Sequence, residues 1–146
     1  MKKWGITFCM FFLCGLLFIG CETAEGEQRA LSTTEKKPTV SQQLANEIKT
    51  EISKMKEVDN VRAISLDKDV YITLTVTGFD RLFLQEIRQN AHKRAKSVEE
   101  KGNIHVSTDK KLDQEISSLE KQVKEGKITK EQLSEKLKKI EKDMKG

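Results

Sequence analysis

The sequence predicts an α+β domain, a helix-strand-strand-helix-strand unit with a three-stranded sheet, followed by a C-terminal helical hairpin. Residues 70–77 alternate between apolar and polar side chains, which is the two-residue period of a strand buried on one face and is typical of an antiparallel sheet covered on one side. Apolar residues with helical spacing lie on both sides of this strand. Residues 110–146 change to a Lys/Glu-rich sequence with two narrow apolar stripes, which is typical of paired helices.

The first helix is predicted over residues 40–57, and residues 39–42 have the pattern of a capping box. Its apolar stripe consists of Val40, Leu44, Ile48, Ile52 and Met55. A first strand over residues 60–66 and a turn at 67–69 precede the alternating strand. In that strand Val70, Ile72, Leu74 and Val76 are expected to be buried, and Tyr71, Thr73, Thr75 and Thr77 exposed.

The second helix is predicted to start at Asp80, with Phe79 and Leu84 at the spacing of a hydrophobic staple. Gly102 fits the helix stop, and residues 103–107 form the third strand with His105 facing out. We expect both helices to cover one apolar sheet face. That face should contain Ile64, Leu66, Ile72, Leu74, Ile104 and Val106.

The C-terminal hairpin, residues 110–146, has one apolar seam on each helix. Residues 125–128 connect the helices, and residues 129–132 form a second capping box. The seam consists of Leu112, Ile116, Leu119, Val123, Leu133, Leu137, Ile140 and Met144. Such a thin pair of helices is marginal alone, so the seam needs a partner surface. We predict that it faces another chain; the alternative is that it folds back on the sheet.

The N-terminal 20 residues have the features of a bacterial lipoprotein signal peptide. Lys2 and Lys3 precede an uncharged, mainly apolar run that ends in Ile19-Gly20, directly before Cys21. The Cys21 thiolate would accept a diacylglycerol group and, after cleavage, become the new N-terminus. The alternative is an uncleaved membrane anchor, because a run of this length is close to the ~17–25 residues that span a bilayer.

Cleavage at Cys21 would leave a chain without further cysteines, since Cys9 and Cys14 lie in the signal segment. No internal disulfide and no cysteine-based zinc site or nucleophile is then expected. Residues 21–38 are polar, with Leu31 as the one large apolar side chain, and are predicted to be a disordered tether. The domain order is thus signal peptide 1–20, tether 21–38, α/β domain 39–109 and hairpin 110–146.

The sequence offers no pattern of catalytic, cofactor-binding or metal-binding residues. His92 and His105 are the two histidines, and neither belongs to a ligand or triad motif. Without Lys2 and Lys3, 25 of the 27 basic residues remain against 23 acidic ones, so no basic block indicates nucleic-acid binding. We therefore predict a protein that is not an enzyme, without cofactor, metal or nucleic acid, held on the membrane by the lipidated Cys21.

These features resemble the YhcN/YlaJ sporulation lipoproteins over about residues 40–125. Two segments carry the resemblance: Val106-Ser107-Thr108-Asp109 after the last strand, and Val58-Asp59-Asn60-Val61-Arg62-Ala63 entering the first. The unit is also similar to BON-type modules. The hairpin around residues 119–133 is similar to short C-terminal hairpins of the SHOCT type.

The resemblance implies a lipoprotein of the spore or cell envelope, on the outer face of the cytoplasmic or spore membrane, with a role in sporulation or germination. It carries over no catalytic residues. We expect a binding or structural module with a protein partner in the envelope. The alternative is an accessory subunit that docks a germination enzyme or receptor through its C-terminal helices. An envelope enzyme is the third possibility, which no residue pattern supports.

Overall fold

The computed structural model describes residues 40–76 and 78–145. The helices and strands follow the predicted order, which confirms the fold class. Their bounds are α1 Gln43–Ile52, β1 Val58–Leu66, β2 Asp69–Val76, a 3-10 helix Gly78–Phe83, α2 Leu84–Val98, β3 Asn103–Ser107, α3 Lys110–Lys124 and α4 Lys130–Lys145. No helix in these two ranges is both long and apolar enough to cross a membrane.

The three strands form one mixed sheet with β2 in the centre. β1 pairs with β2 antiparallel, and β3 pairs with β2 parallel. The parallel pair requires a crossover, which the 3-10 helix and α2 provide. A bulge in β1 leaves Asp59 without a partner between Val58 and Asn60. The sheet was expected to be antiparallel, and the parallel β3 corrects that expectation.

The first sheet face packs against α1 and α2, as the sequence predicts. Leu74 is 3 % exposed and belongs to this core. The buried residues of the core are Ala45, Ile48, Ile52, Met55, Ala63, Val70, Ile72, Leu74, Val76, Ile87, Ala91, Ala95 and Ile104. At about 25 cal/mol per Å² of apolar surface removed from water, burial of this set is the main stabilising contribution of this layer.

The second sheet face is also covered, and the prediction that it is polar and exposed is wrong. Tyr71 is 4 % exposed and Thr73 is completely buried. Ile64 and Leu66 pack in this second core and not with Ile72. The register explains the change, because Ile64 lies opposite Tyr71 and residues directly opposite each other share a sheet face.

The C-terminal helices α3 and α4 supply the cover of the second face. Their seam residues join Ile64 and Tyr71 in one buried cluster, so the prediction that the seam faces another chain is wrong. The buried helix and loop members are Leu112, Ile116, Leu119, Val123, Ile128, Leu133, Leu137 and Ile140, with Met144 partly buried beside them. The domain therefore has three layers, with helices on both faces of a three-stranded sheet.

The helix starts agree with the predictions at one capping box and differ at the other. At α4, the Thr129 amide donates to Gln132 Oε1 at 3.1 Å, and the Gln132 amide donates to Thr129 Oγ1 at 3.3 Å. This reciprocal pair is the predicted capping box. At α1 the helix begins at Gln43, and the Gln42 side chain instead bonds both the amide (2.9 Å) and the carbonyl (2.8 Å) of Ser65.

Candidate functional site

The connection that leaves β2 is a 3-10 helix, Gly78–Phe83, at the carboxyl end of the central strand. Gly78 has φ +58°, a left-handed conformation that a side chain disfavours, so a glycine suits this sharp exit from the sheet. Arg81 Nε donates to the Val76 carbonyl at 3.4 Å and ties the helix to the last residue of the strand.

The 3-10 helix exposes three large apolar side chains to solvent. Phe79 is 88 % exposed, Leu82 81 % and Phe83 56 %, and these are the exposed large hydrophobic residues among those the structure describes. Residues three apart eclipse each other in a 3-10 helix, so Phe79 and Leu82 share one side. Clustered exposure of this kind marks an interaction surface more often than a single exposed residue does.

Because the 3-10 helix occupies residues 78–83, the second helix starts later than predicted. α2 begins at Leu84, four residues after the expected cap at Asp80, and Phe83 occupies the N-cap position without a side-chain hydrogen bond. Phe79 does not staple Leu84, since it is nearly fully exposed. Leu82 and Phe83 directly precede the apolar stripe that begins at Leu84, and neither belongs to the first core.

An open groove of about 450 Å³ lies beside the 3-10 helix, lined by Arg81 and Leu84 on one side and by Thr108, Asp109 and Lys110 on another. Two of its polar side chains, Thr108 and Asp109, are already hydrogen-bonded within the chain. Thr108 Oγ1 accepts from Arg88 Nη1 at 3.1 Å. Asp109 Oδ1 accepts from the amides of Lys111 at 2.7 Å and Leu112 at 3.0 Å.

The segment Val106-Ser107-Thr108-Asp109 therefore has a structural function as the turn from β3 into α3. Asp109 is the N-cap of α3, and Ser107 Oγ accepts from the Asp109 amide at 3.1 Å. Val106 packs partly buried against the first core. The segment directs α3 back over the second sheet face, where its apolar residues pack.

Two carboxylates of α3, Asp113 and Glu120, fasten the helix to the sheet. Asp113 accepts from Thr73 Oγ1 at 2.8 Å and from Arg62 Nε at 3.2 Å. Glu120 accepts from Lys49 Nζ at 3.0 Å and from the Ala63 amide at 3.3 Å. Residues seven apart lie on the same helix face, so both carboxylates point at the sheet and act in docking.

His105 does not face solvent as expected, because it stacks on Tyr71 in the second core. The ring centroids are 4.8 Å apart and the planes differ by 10°. Burial lowers the pKa of His105 below its ordinary value and raises the pKa of Tyr71 to about 12, with Glu141 of α4 acting on both rings. The parallel register places Tyr71 opposite His105, and the sequence had placed them on one face.

The other candidate residues do not assemble into a reactive centre. His92 is half-buried on α2 and lines a second open groove with Arg88 and Lys93. Within residues 40–76 and 78–145, no three His, Cys, Asp or Glu side chains approach closely enough to hold a metal ion. Cys21, the predicted lipidation site, lies outside the described residues.

Together, the fold and its surface define a small three-layer α+β module whose exposed apolar side chains are concentrated on one short helix. The chain belongs to a family described as "Sporulation lipoprotein YhcN/YlaJ": the model of that family matches residues 21–145. Membership confirms the resemblance and makes the chain a sporulation-associated lipoprotein with lipid-anchored membrane association. No curated protein and no solved structure matches the chain.

Proposed function

We propose that the protein is a non-enzymatic binding or structural module of the spore or cell envelope, anchored through diacylglyceryl-Cys21 and acting in sporulation or germination. The observation that carries the anchor is the start of the family match at residue 21. That residue is the cysteine that signal cleavage would expose as the N-terminus. Export and cleavage at this position place the domain on the outer face of the membrane.

The use of the polar side chains supports a binding or structural function. Asp109, Asp113 and Glu120 each accept hydrogen bonds that start or dock α3. Among the described residues, every buried side-chain nitrogen or oxygen of a non-exposed residue has a hydrogen-bond partner. Carboxylates that are hydrogen-bonded within the fold are poor candidates for general acid or base groups, because such groups need access to a substrate.

The exposed apolar surface also distinguishes the binding module from an accessory subunit docked through the C-terminal helices. The α3–α4 seam already packs on Ile64 and Tyr71, so a partner would find only the charged outer side of these helices. The 3-10 helix instead offers Phe79 and Leu82. This difference favours a contact at the 3-10 helix over one at the hairpin.

The anchor is tested by metabolic labelling of sporulating cells with a fatty acid that carries a reporter group. The wild-type chain should take up the label and fractionate with membranes, whereas Cys21→Ala should remain unlabelled and uncleaved. A Ser41→Ala chain, changed outside the signal, serves as the control for expression. Equal labelling of wild-type and Cys21→Ala chains would contradict the proposal.

The binding role is tested by co-purification from spore membranes with the lipid intact. A specific envelope protein should be recovered with the wild-type chain, and its recovery should not depend on the charged outer side of α4. Recovery that depends on the charged outer side of α4, for example on Lys138, would support the accessory-subunit alternative instead.

A further inference from the structure

We propose that the 3-10 helix Gly78–Phe83 enters the lipid–water interface of the membrane that holds the anchor, with Phe79, Leu82 and Phe83 as the inserted side chains. This inference rests on the proposed function, because it assumes a bilayer within reach of the domain. It adds a second membrane contact, made by the folded domain itself.

The exposure of the three side chains is the first observation in favour. Phe79 and Leu82 each keep more than four-fifths of their surface in water, at 88 % and 81 %, while the large apolar residues of both cores are covered. Phenylalanine and leucine on one side of a short projecting helix are the residues that enter the headgroup–acyl boundary of a bilayer. Arg81 lies between them in sequence, and a long basic side chain can keep its charge at headgroup level while its stem is buried.

The distribution of aromatic residues points the same way. After residue 20 the chain has three aromatic residues, Tyr71, Phe79 and Phe83, and Tyr71 is buried in the second core. Both remaining rings lie on the 3-10 helix. Apart from Tyr71, the buried residues of the two cores are not aromatic, so these two phenylalanines make no contribution to the cores that would explain their presence.

The chain between Cys21 and the fold is long enough for this orientation. The described fold begins at Val40, which shares a surface groove with Ser65 and Asp67 at the far end of the sheet from Val76. The eight residues of β2 separate these two ends by about 25 Å at ~3.3 Å per residue.

Fully extended, the 19 residues 21–39 would span at most about 65 Å. The lipid at Cys21 can therefore stay in the bilayer while the opposite end of the domain, with the 3-10 helix, rests on it. The tether also keeps the bilayer at a high effective concentration, which makes a three-residue contact sufficient.

A second copy of the chain is the competing occupant. Self-association through three side chains must order two anchored domains against each other. Insertion into the bilayer does not carry that cost, because the anchor has already restricted the domain to the membrane. We therefore assign the surface to lipid and let the experiment decide.

The test uses the chain 21–146, in which Cys21 is the one cysteine and no tryptophan is present, since Trp4 lies in the segment before it. Its thiol is coupled to maleimide-bearing lipid in vesicles of phosphatidylcholine with a minority of phosphatidylglycerol. A Phe79→Trp chain then reports depth through quenching by brominated acyl chains. The exposed position makes the substitution compatible with folding, and Leu82→Trp is the second reporter.

The matched control is Lys68→Trp, an exposed position in the β1–β2 turn at the opposite end of the sheet. We expect brominated lipid to quench most of the emission of the Phe79→Trp and Leu82→Trp chains and to blue-shift their spectra. The control should be little affected. Changing Leu82 and Phe83 to Ser in the Phe79→Trp chain should abolish most of the quenching.

Equal quenching of reporter and control, or none in either reporter, would overturn the inference. So would a blue shift that grows with protein concentration in the absence of vesicles, which would assign the surface to a second copy. Because coupling is chemical, the result does not depend on lipidation in cells. Quenching in vesicles without fatty-acid labelling in cells would contradict the anchor at Cys21 and support the lipid-binding surface. Labelling in cells without quenching in vesicles would support the anchor and contradict the lipid-binding surface.

Discussion

The hydroxyl of Thr73 donates a hydrogen bond to Asp113 Oδ1 at 2.8 Å, across the boundary between the central strand and α3. Thr73 is completely buried, and the same carboxylate also accepts from Arg62 Nε at 3.2 Å. Together with the contacts of Glu120 to Lys49 and to the Ala63 amide, this bond fixes the position of α3 on the sheet. A hydrogen bond to a charged group contributes more than a neutral one.

The Thr73→Val chain tests this bond, because valine keeps the shape of threonine and removes the donor. We expect a loss of about 1–3 kcal/mol in the free energy of unfolding, since Asp113 keeps only Arg62. Thr73→Ser retains a hydroxyl and should lose less. Urea denaturation of the 21–146 chain measures both. A Thr73→Val chain as stable as the parent would show that the bond makes no net contribution.

Leu74, the next residue along β2, tests the opposite sheet face. It is 3 % exposed among the aliphatic side chains of the first core. Leu74→Ala should cost roughly 2–5 kcal/mol, as expected for a truncated core leucine. The neighbouring Thr75 is only partly buried, so Thr75→Ala is the matched control and should cost clearly less. Equal losses in the free energy of unfolding at Leu74 and Thr75 would contradict the strand register.

Truncation after Asp109 tests whether the hairpin completes the core. The shortened chain would expose Ile64 and Tyr71, which α3 and α4 otherwise bury, and it would leave the Thr73 hydroxyl without its acceptor. We expect it to lose cooperative unfolding in urea. As a point-mutant counterpart, Leu137→Ala should destabilise the full chain, whereas Lys138→Ala on the exposed side of α4 should not. A truncated chain with the parent's midpoint would restore the view of the hairpin as an appendage.

Alanine substitutions at Gly102 and Gly78 test two different effects, steric contact at Gly102 and backbone strain at Gly78. A Cβ on Gly102 would lie 2.5 Å from the Lys68 carbonyl oxygen and 2.6 Å from Glu99 Cγ, and the backbone atom has little freedom to move. Gly78 has φ +58° but nothing within 4 Å of the added carbon. Gly102→Ala should therefore cost roughly 1–3 kcal/mol from overpacking, and Gly78→Ala about 1 kcal/mol from strain alone. Thermal unfolding compares them, and a reversed order would contradict the assignment.

The sequence predicted the fold class because hydrophobic periodicity is a local property. The alternation in β2 and the four-residue spacing in α1 and α2 depend on no knowledge of the partner surface. The second sheet face was misassigned because its burial depends on partner residues that are distant in the sequence. A threonine can be polar and exposed or buried with a hydrogen bond, and the partner of Thr73 is Asp113, forty positions away in the chain.

The apolar 3-10 helix was missed for a different physical reason. The sequence places Phe79, Leu82 and Phe83 next to a true helical stripe, and near such a stripe apolar residues are ordinarily assigned to the core. Only the structure shows that the first turn is 3-10 and projects from the end of the sheet. The proposed lipid attachment site is the converse case, since Cys21 was predicted from a linear motif that requires no fold.

The Tyr71–His105 stack predicts a pH dependence at both ends of the neutral range. Burial is the main cause that lowers the pKa of His105 from its ordinary 6.5, against an opposing contribution from Glu141. Below pH 6.5 the unfolded chain binds a proton that the folded chain resists, so stability should fall as the pH drops through that value. Burial raises the pKa of Tyr71 to about 12 from 10.0, so stability should also fall as the pH rises above 10.

The urea midpoint is measured across this pH range for the parent chain and three variants. His105→Phe keeps an aromatic ring opposite Tyr71 and removes the titrating group, so its stability should decline less on the acid side. His92→Gln retains the Tyr71–His105 stack and should keep the decline that the stack produces. Tyr71→Phe should remove the alkaline decline and leave the acid one. If His105→Phe follows the parent chain at every acidic pH, then His105 is not the source of the loss of stability in acid.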